Sequence, residues 1–596
     1  MPPDLDDAAA HIVALQRVVR AMRRRLEFVE GSRFWQLRAL WLRLRARFGR
    51  VRPIDPPELP SLDYFETMDR SDPYTRWLLE NEPRRAELAR MREIAPLLSL
   101  RPTLAVIVND CGCDASAALA AVRAQAYPHV RLVQLSEHSG ADIAARWNAA
   151  VARATEDFVA LCEPDDLLGP QAAFELALAV NAAPNLVAMY GDRDQQDAGG
   201  RRLLPRFVPG WSPDTFLSSM YTGRVVFYRR TAVLAAGGMR SEFGNAGHYD
   251  LALRVFENGG PILHRPAVLV HHLRGSGETD GDAQEAARAV EAALVRRGES
   301  GHVVRADLAG VAIVRYDIVR PGRVEVVIPT RDLADYLERA LSSVFERNPG
   351  ADLRVTVVDN DSASPATFAA FERWKAREPK RFAVVRVEGP FNFSRLVNAG
   401  VRSTDGPYAL LLNNDAEFLS LGGIEAMLEQ AQRPCVGAVG ARLLYPDGTL
   451  QHVGVVVGIG GYAGHLYRGR RPGDPALDET IVGVRNFTAV TAAAMMFRRD
   501  AFEAVGGFDE ALSIEFNDLD FCLKLVRAGY SNLCLPHVSF RHEESVSRGS
   551  PKTGPERAAR ERERSLFRGT WATERFEDPY YNPNLTRADE SGSLAE

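Results

Sequence analysis

The stretch Tyr408-Ala-Leu-Leu-Leu-Asn413-Asn414-Asp415 is an apolar run of strand length that ends in polar, metal-capable side chains. The same design occurs earlier, at Phe158-Val-Ala-Leu-Cys-Glu163-Pro164-Asp165-Asp166. Short apolar runs of this kind are typical of strands that are buried on both faces of a parallel sheet. Two such runs with acids at their carboxyl ends predict two copies of one α/β domain.

Further landmarks repeat in the same order around both runs. An asparagine precedes the aspartate of the run by 17 residues in each copy, at Asn148 and at Asn398. Each copy then has an Arg-Arg pair, a Gly-Gly pair and an acidic helix start. The repeat is far longer than the units of repeat arrays, so it indicates a duplicated domain. The later landmarks are Arg229-Arg230, Gly237-Gly238 and Tyr249-Asp250 in the first copy, and Arg498-Arg499, Gly506-Gly507 and Asp518-Leu-Asp520 in the second.

At 596 residues the chain exceeds the size at which a single core stops growing. Strand-like and helical segments alternate in both copies, which predicts an α/β sheet with its ligand site at the carboxyl ends of the strands. We predict an Arg-rich helical region over 1–70, a first α/β domain over 71–300 and a second over 301–549. Residues 550–596 are polar and charged, so we expect a loosely attached tail there.

Composition restricts where the protein acts. The net charge of -5 gives no reason to expect nucleic-acid binding. The six cysteines, mostly inside apolar runs, favour a reducing cytoplasm, and no apolar run reaches the length of a membrane-spanning helix. In residues 11–50 arginines alternate with Trp and Leu. That pattern fits either an amphipathic helix on the inner face of the cytoplasmic membrane or a helix packed on protein, and the sequence leaves both open.

Two groups of polar residues follow predicted strands of the second copy. Asp359-Asn-Asp361 comes directly after one strand, where carboxylates accept hydrogen bonds from a base or a ribose, or merely cap a turn. Asn413-Asn414-Asp415 ends another strand of the same sheet. An acid there suits Mg²⁺ or Mn²⁺ bound mainly through diphosphate oxygens, although a turn aspartate is the alternative.

Acids and a histidine follow later in the same copy. Asp518 and Asp520 open an amphipathic helix, where acids are common for macrodipole reasons and where one of them could instead be a general base. His542 follows the last apolar stretch and could close a metal site, or be a lone surface histidine. The combination of two strand-end acids, a helix-start acid and this histidine in one α/β domain favours a catalytic interpretation.

Together these residues resemble family 2 glycosyltransferases of the GT-A fold. The resemblance is closest to two-domain bacterial enzymes of surface-polysaccharide (O-antigen) assembly, rhamnosyltransferases among them. It implies tandem GT-A domains, a Rossmann-like fold that binds nucleotide-diphospho-sugars, and inverting sugar transfer. The motifs that carry it are Val327-Ile-Pro-Thr-Arg-Asp332, Val358-Asp-Asn-Asp-Ser362, Phe391-Asn-Phe-Ser394, Asn398, Leu411-Leu-Asn-Asn-Asp-Ala-Glu417, Tyr445-Pro-Asp-Gly448, Gln451-His452, Phe516-Asn-Asp-Leu-Asp520 and Glu544-Ser-Val-Ser-Arg-Gly549.

The resemblance also implies a role for each residue. Asp518 matches the base, and Asp415 matches the metal ligand. His542 is a further implied ligand, although the family often has two histidines where this chain has His542-Glu543. The implied cofactor is Mn²⁺ or Mg²⁺, and the implied partners are a UDP-, dTDP- or GDP-sugar and a glycan or lipid-linked glycan acceptor. The implied donor-binding residues are Pro329, Thr330, Asp332, Asp359, Asp361, Asn398, Asn413 and Asn414.

The first copy departs from this pattern. Ser136 stands where the second copy has Asp359, and His248 stands at the place of the base, two residues before Asp250. Asp165 and Asp166 keep the metal-capable acids. The losses favour a degenerate domain that serves as a scaffold or acceptor-binding module, with an active domain for a different donor as the alternative.

Two other functions share parts of the pattern. A sugar-phosphate nucleotidyltransferase also needs a strand-end acid and a metal, but it should have a Gly-rich basic loop near its first strand, and Ile328-Pro-Thr-Arg-Asp332 is not one. The other alternative is a non-catalytic protein that binds or assembles glycans.

Overall fold

The computed structural model describes residues 71–138, 140, 142–273, 280–305, 311–474, 477, 479–543 and 554–595. The Arg-rich helix predicted within residues 1–70 and the motif at residues 544–549 lie outside the described residues. Every helix in the described part of the chain is too short or too polar to cross a membrane.

The first half alternates strands and helices, as predicted. Its strands are β1 (Leu104–Val108), β2 (Val130–Gln134), β3 (Phe158–Cys162), β4 (Asp166–Leu168), β5 (Ala188–Gln196), β6 (Arg202–Arg206), β7 (Phe227–Arg229), β8 (Ile262–Leu273), β9 (Gly301–Arg305) and β10 (Ala312–Tyr316). Its helices are α1 (Pro73–Asn81), α2 (Arg85–Ile94), α3 (Ser116–Arg123), α4 (Ile143–Arg153), α5 (Ala172–Ala182), α6 (Pro213–Ser218), α7 (Arg230–Ala235), α8 (Gly247–Glu257) and α9 (Asp280–Arg297).

The second half repeats this alternation. Its strands are β11 (Val324–Thr330), β12 (Leu353–Asp359), β13 (Phe382–Arg386), β14 (Tyr408–Leu412), β15 (Ala416–Phe418), β16 (Val436–Leu444), β17 (Leu450–His452), β18 (Val455–Val457), β19 (Ala463–His465), β20 (Arg485–Phe487), β21 (Ala494–Arg498) and β22 (Ser531–His542). Its helices are α10 (Ala334–Arg347), α11 (Pro365–Arg377), α12 (Phe393–Arg402), α13 (Gly423–Ala431), α14 (Arg499–Ala504), α15 (Asn517–Arg527) and α16 (Gly554–Trp571).

Within the described residues, each half builds one large mixed sheet, and the two sheets share a strand order. The first runs β2-β1-β3-β7-β5-β8-β4, and the second runs β13-β12-β11-β14-β21-β16-β22-β15. The pairing senses agree as well. β1 is parallel to β2 and β3, as β11 is to β12 and β14, while β3 is antiparallel to β7, as β14 is to β21. The predicted α/β fold class is confirmed, and the duplication extends to the topology.

Burial explains why these strands have the sequences that they have. Every residue of β1 and of β14 is buried, and each strand has a neighbouring strand on both sides. Alternate side chains of one strand therefore enter different cores. Leu410 and Leu412 of β14 pack into the cluster on one face of the second sheet, and Ala409 and Leu411 pack into the cluster on the other.

The described chain divides into two compact units. The first holds the described residues up to Arg206 with Val225–Gly238 and Val255–Ser276, and the second holds the rest. Segments 207–224, 239–254 and 277–300 therefore group with the second unit, although the sequence analysis placed them in the first domain. The predicted domain boundaries otherwise stay predictions.

Hydrogen bonds to one buried side chain account for part of this grouping. Asn486 Oδ1 accepts from the backbone N–H groups of Asp214 at 2.9 Å and Thr215 at 3.1 Å, and its Nδ2 donates to Asp214 Oδ2 at 3.0 Å. Segment 207–224 therefore belongs to the core that the second half builds.

The C-terminal segment differs from its prediction as a loosely attached tail. Phe567 of α16 and Tyr581 are buried in a core cluster of the second unit. The segment looked polar because α16 is rich in Arg and Glu, yet Glu563 and Phe567 lie four residues apart on one helix face, and both are buried. Residues 554–595 are thus an integral part of the second unit.

The repeated asparagine and Gly-Gly landmarks contact each other. Asn398 Nδ2 donates to the Phe508 carbonyl oxygen at 2.9 Å, and Asn398 Oδ1 accepts from the Phe508 N–H at 3.0 Å. The preceding Gly507 has a φ of +74°, and a Cβ there would lie 2.8 Å from Asn398 Oδ1. In the first copy, a Cβ on Gly238 would lie 2.1 Å from Asn148 Oδ1. The landmarks therefore mark one turn that is built twice.

We predict that Gly507→Ala destabilises the second unit more than Gly506→Ala. Both glycines have positive φ, at +74° and +80°, so each alanine costs about 1–2 kcal/mol in backbone strain. Only position 507 also brings the new Cβ against Asn398 and Phe502, which adds about 1–3 kcal/mol of overpacking. Urea unfolding midpoints of the two variants measure the difference. Equal midpoints would show that the turn relaxes away from Asn398 at no cost.

Candidate active site

The site forms where the carboxyl ends of three parallel strands meet. The chain leaves β11 towards β12 on one side and returns as β14 on the other, so a crevice opens between the ends of β11 and β14. Thr330 at the end of β11 pairs with Asp359 at the end of β12. Asn414, just after β14, donates from Nδ2 to Thr330 Oγ1 at 2.9 Å and ties the two sides of the crevice together.

Asp359 keeps acceptor capacity in this crevice. Its carboxylate is buried, and its Oδ1 accepts from the Ser362 N–H at 3.1 Å. Arg386 Nη1 lies 3.7 Å from Oδ2, an ion pair beyond hydrogen-bond distance. A carboxylate has about four lone-pair sites, so Asp359 is able to accept further hydrogen bonds from a ribose or a base.

Three residues predicted to contact the nucleotide-sugar donor form hydrogen bonds that hold loops of the protein. Asp332 Oδ1 accepts from the N–H groups of residues 363 and 364 at 2.9 and 2.8 Å, which caps the start of α11. Asp361 Oδ2 accepts from the Gly389 N–H at 2.8 Å. Asn398 is buried and engaged with Phe508, as described above. Pro329 precedes Thr330 in β11 and has no polar side chain.

Asp415 and His542 lie together at the other side of the crevice. β15 and β22 bring Ala416 into register with His542, which places the imidazole beside the preceding Asp415. His542 Nε2 lies 3.1 Å from Asp415 Oδ1 and also 3.1 Å from Asn413 Nδ2. On the far side of the ring, Nδ1 lies 2.6 Å from Gln451 Oε1. Because that oxygen only accepts, Nδ1 carries a proton, and in the neutral ring the Nε2 lone pair accepts from Asn413 Nδ2, a hydrogen bond that a cation on Nε2 would replace.

This arrangement fits a divalent cation. Two ligand atoms at right angles and about 2.1 Å from one cation are about 3.0 Å apart, close to the separation of Asp415 Oδ1 and His542 Nε2. A ligating histidine that donates its other N–H to a fixed acceptor is the usual arrangement around protein metals. Within the described residues no group of three or more His, Cys, Asp or Glu side chains forms a metal cluster. These two residues could therefore hold a cation that takes its remaining ligands from outside the protein.

Asp518 lies beside the same strand ends. Its Oδ2 accepts from the Ala492 N–H at 3.1 Å, and the adjacent Ala493 carbonyl oxygen accepts from the Asn413 N–H at 3.0 Å. Burial raises the pKa of Asp518 above its ordinary value, against hydrogen bonds from Ala492 and the Thr491 side chain that lower it. A raised carboxyl pKa suits a general base that works near neutral pH.

Asp520 differs from Asp518 in its surroundings. It is buried, its Oδ1 accepts from Trp571 Nε1 at 3.0 Å, and its Oδ2 lies 3.0 Å from Lys524 Nζ. Its carboxylate is thus committed to α15 and α16. Of the two acids at this helix start, Asp518 is the one that lies beside the strand ends.

The first sheet has a related acid–histidine pair. Asp166 at the start of β4 is in register with His272 of β8, and His272 Nδ1 lies 2.7 Å from Asp166 Oδ1. In the second sheet the residue in register with the histidine is Ala416, and the carboxylate belongs to the residue before it, Asp415. In the first sheet the carboxylate belongs to the residue in register itself, Asp166. Asp165 holds the place of the second-sheet aspartate.

The first sheet also has an acid near Ser136, the residue that stands in place of Asp359, and this acid was not predicted. Ser136 donates to Asp110 from both its N–H and its Oγ, at 2.7 and 2.6 Å, and Gln134 Nε2 donates to the same carboxylate at 2.8 Å. Burial alone would raise the pKa of Asp110, but these hydrogen bonds lower it. An acid is therefore present near this strand end, and three protein donors already use it.

The helix-start position of the first copy also differs. Asp250 is fully buried and pairs with Arg240 and Arg254, with Arg296 Nη1 at 3.9 Å. Burial acts to raise the pKa of Asp250, but the hydrogen bonds from Arg240 and Arg254 outweigh it and hold the pKa below its ordinary value. Asp250 corresponds to Asp520, which likewise pairs with a basic side chain four residues later, so it does not stand at the position of Asp518. His248, the predicted alternative base, is buried at the start of α8.

The sequence analysis missed His272 as a site residue, although a signal for it was present. His272 follows Asp250 by 22 residues, and His542 follows Asp520 by the same number. The roles of Gln451 and Thr491 had no such signal, because they depend on which backbone and ring atoms the fold brings beside them.

The strand order and the acids at the strand ends define a glycosyltransferase domain of the GT-A type. Comparison with known families agrees: residues 325–506 match the Glycosyl transferase family 2 model. The second half of this chain therefore carries a family 2 glycosyltransferase domain.

Curated relatives extend beyond that domain. The O-antigen biosynthesis protein RfbC of Myxococcus xanthus is 34% identical over 573 residues, which is 89% of this chain and 43% of that protein. An N-acetylglucosaminyl-diphospho-decaprenol L-rhamnosyltransferase of Mycobacterium tuberculosis is 26% identical over 24% of this chain and 48% of its own length. The chain thus spans less than half the length of these relatives.

Solved structures give a partial likeness. The mannosyltransferase PcManGT from Pyrobaculum calidifontis, in complex with GDP-Man and Mn²⁺, is 17% identical and aligns with a TM-score of 0.29 over 46% of this chain and 76% of that chain. A structural alignment with so low a TM-score assigns no ligand to this protein.

We predict that Gln451→Leu weakens Mn²⁺ binding about 10- to 100-fold, because the loss of the Nδ1 acceptor frees the His542 ring to rotate or change tautomer. Gln451→Glu, which keeps an acceptor, should bind Mn²⁺ nearly as well as the wild type. Titration of Mn²⁺ with pyrophosphate, followed by the electron paramagnetic resonance of free Mn²⁺, measures both. Wild-type affinity in Gln451→Leu would contradict a fixed imidazole ligand.

Proposed function

We propose that the second domain is an inverting glycosyltransferase. It moves a sugar from a nucleotide-diphosphate donor to a hydroxyl of a growing bacterial cell-surface glycan, free or lipid-linked. The main support is one observation: the Asn413 N–H and Asp518 contact adjacent residues of one backbone segment, so the strand-end group and the base adjoin the same crevice. The family 2 match and the O-antigen relative support the reaction class and the setting.

The acceptor step depends on Asp518. An inverting transfer is a single displacement at the anomeric carbon, in which the acceptor hydroxyl gives up its proton as the new bond forms. The ionised Asp518 takes that proton, and its raised pKa keeps the proton transfer favourable. The donor leaves as a nucleoside diphosphate on the opposite face of the sugar.

The donor side depends on the strand ends. Asp359 accepts hydrogen bonds from the ribose or base, and Asn414 with Thr330 fixes the floor of the crevice beneath the diphosphate. Asp415 and His542 would hold Mn²⁺ or Mg²⁺, which supplies positive charge to the departing diphosphate when bound. The donor nucleotide would be UDP, dTDP or GDP, as the resemblance implies.

For the first domain we propose a non-catalytic role as a scaffold or acceptor-binding module. Its base position holds His248, and its crevice acid, Asp110, is occupied by protein donors. We place the protein on the cytoplasmic side of the membrane, where nucleotide sugars are available, and a peripheral contact through residues 11–50 stays a hypothesis.

A donor screen tests the proposed reaction. UDP-, dTDP- and GDP-sugars are incubated with the protein and Mn²⁺, and release of nucleoside diphosphate is measured with and without a glycan acceptor. We expect release from at least one donor and about 10²- to 10⁴-fold slower transfer in Asp518→Asn, because the base is lost. Asp415→Ala should lose transfer through the cation site.

Asp405→Asn is the matched control, because Asp405 is 83% exposed and precedes β14 at its amino end, away from the crevice. The proposal is wrong if no donor is used, or if Asp415→Ala and Asp518→Asn both transfer at the wild-type rate. A product that retains the anomeric configuration of the donor would contradict the single displacement.

The base also predicts a pH dependence. Only ionised Asp518 accepts a proton, so kcat should rise with pH through a pKa above the ordinary aspartate value of about 3.9 and then level off. Thr491→Val removes a hydrogen bond that favours the charged form, so the acid limb should move to higher pH. Thr488→Val is the control, because Thr488 donates to Asp578 instead. Acid limbs that coincide in both variants would exclude Asp518 as the titrating group.

A further inference from the structure

The loop before Asp518 is held by a single buried carboxylate. Glu563 on α16 accepts from three consecutive backbone N–H groups: Oε1 from Ser513 at 3.0 Å, and Oε2 from residues 514 and 515 at 3.0 and 2.8 Å. The Ser513 hydroxyl also donates to Oε1. Burying a carboxylate is costly unless donors surround it, and these four donors come from one short loop. Glu563 and the loop therefore fix each other.

Two side chains and one backbone N–H of the Phe391-Asn-Phe-Ser394 motif also hold the loop. Asn392 Nδ2 donates to the Glu510 carbonyl oxygen at 2.7 Å, and Ser394 Oγ donates to the Leu512 carbonyl oxygen at 2.6 Å. The Phe393 N–H donates to the Ser513 carbonyl oxygen at 2.8 Å. Residues 510–516, called the base loop below, thus lie clamped between the start of α12 and the middle of α16.

The last residue of the base loop has a strained backbone. Phe516 has a φ of +62°, a left-handed conformation that costs a residue with a side chain of this size about 1–3 kcal/mol. Its ring stacks on Phe567 of α16, with centroids 4.7 Å apart and planes 5° apart, and on Tyr462 at 5.7 Å. Such a conformation persists only where neighbouring groups determine it, and two of these three rings belong to the base loop and α16.

Phe516 is the residue from which α15 starts, and Asp518 lies two residues later. The direction in which α15 leaves the base loop therefore sets where the Asp518 carboxylate lies relative to Ala492 and the strand ends. α16 holds α15 at a second point as well, through the hydrogen bond from Trp571 Nε1 to Asp520 and the stacking of the Arg527 guanidinium on the Trp571 ring at 4.2 Å.

We infer that α16 is a positioning element for the catalytic base, and that Glu563 is its principal positioning residue. It acts through the base loop, touches neither donor nor acceptor, and sets the position of Asp518 without contributing to the strand-end donor site. This inference rests on the proposed function, since it assigns a role within the same transfer reaction.

The test compares Glu563→Ala with Glu561→Ala. Glu561 is the matched control because it lies on the same helix, two residues earlier, and is exposed. We expect kcat of Glu563→Ala to fall on the order of 10- to 100-fold, since small displacements of a catalytic group have effects of this size. The donor KM should stay within about twofold, because the donor site is on β11, β12 and β14. Glu563→Gln, which keeps one acceptor oxygen, should recover part of kcat.

Hydrogen exchange of the base loop, read by mass spectrometry, keeps the test independent of turnover. The amides of residues 513–515 should exchange faster in Glu563→Ala than in Glu561→Ala, while amides of β11 and β14 exchange as in the wild type. A kcat for Glu563→Ala equal to that of Glu561→Ala, or a rise in donor KM equal to the fall in kcat, overturns the inference. A wild-type protein that uses no donor overturns the proposed function instead, and the exchange result then still decides whether Glu563 anchors the loop.

Discussion

The adjacency of β11 and β14 is the constraint on which the rest of the site depends. These two strands are parallel neighbours, yet 78 residues separate Thr330 from Tyr408, and the chain between them builds β12 and β13 on the far side of β11. The polar ends of both strands must therefore face one crevice. The hydrogen bond from Asn414 to Thr330 fixes the width of that crevice, and it places Asp359 and Asp415 on opposite sides of it.

In the proposed reaction Asp415 and Asp518 have different roles, and their surroundings in the structure differ. Asp415 must stay ionised to bind a cation, and it lies beside an imidazole whose proton Gln451 keeps on the far nitrogen. Asp518 must take up a proton, and burial raises its pKa. A guanidinium beside Asp518 would lower that pKa, as Arg240 and Arg254 do for Asp250 in the first copy. Asp250 corresponds to Asp520, however, and at the position of Asp518 itself the first copy has His248.

Sequence reasoning reached those parts of the molecule that depend on local pattern. Buried strands read as apolar runs, so the fold class could be predicted from the sequence and is confirmed. Acids at the ends of parallel strands converge, which is why Asp359 and Asp415 are predicted site residues, and Asp518 is predicted as a helix-start acid. Residues whose role depends on a distant partner could not. The family resemblance implies that Asn398 contacts the donor, and the structure shows its amide bonded to Phe508, 110 residues away.

Polarity alone also misplaced the C-terminal segment. The segment looked detached because polar and charged residues predominate in it, although some of its side chains, among them Glu563 and Phe567, are buried. Nothing in a single sequence distinguishes a glutamate that accepts four hydrogen bonds from the exposed glutamate two residues before it. Only the hydrogen bonds between α16 and the base loop show the difference.

The differences between the two copies have a physical explanation. The repeated turn brings Gly238 against Asn148 in the first copy and Gly507 against Asn398 in the second. The contact is the same in both copies because any residue larger than glycine would collide with the asparagine. Crevice side chains carry no such packing constraint, and they differ: Asp110 and Ser136 satisfy each other in the first copy, where Asp359 in the second keeps open acceptor sites. When protein groups hydrogen-bond to an acid in the crevice, as Ser136 does to Asp110, that acid has less capacity to bind a nucleotide-sugar. The fold is unaffected by this change. Duplication of a transferase domain can therefore yield one domain that keeps the architecture and another that keeps the chemistry.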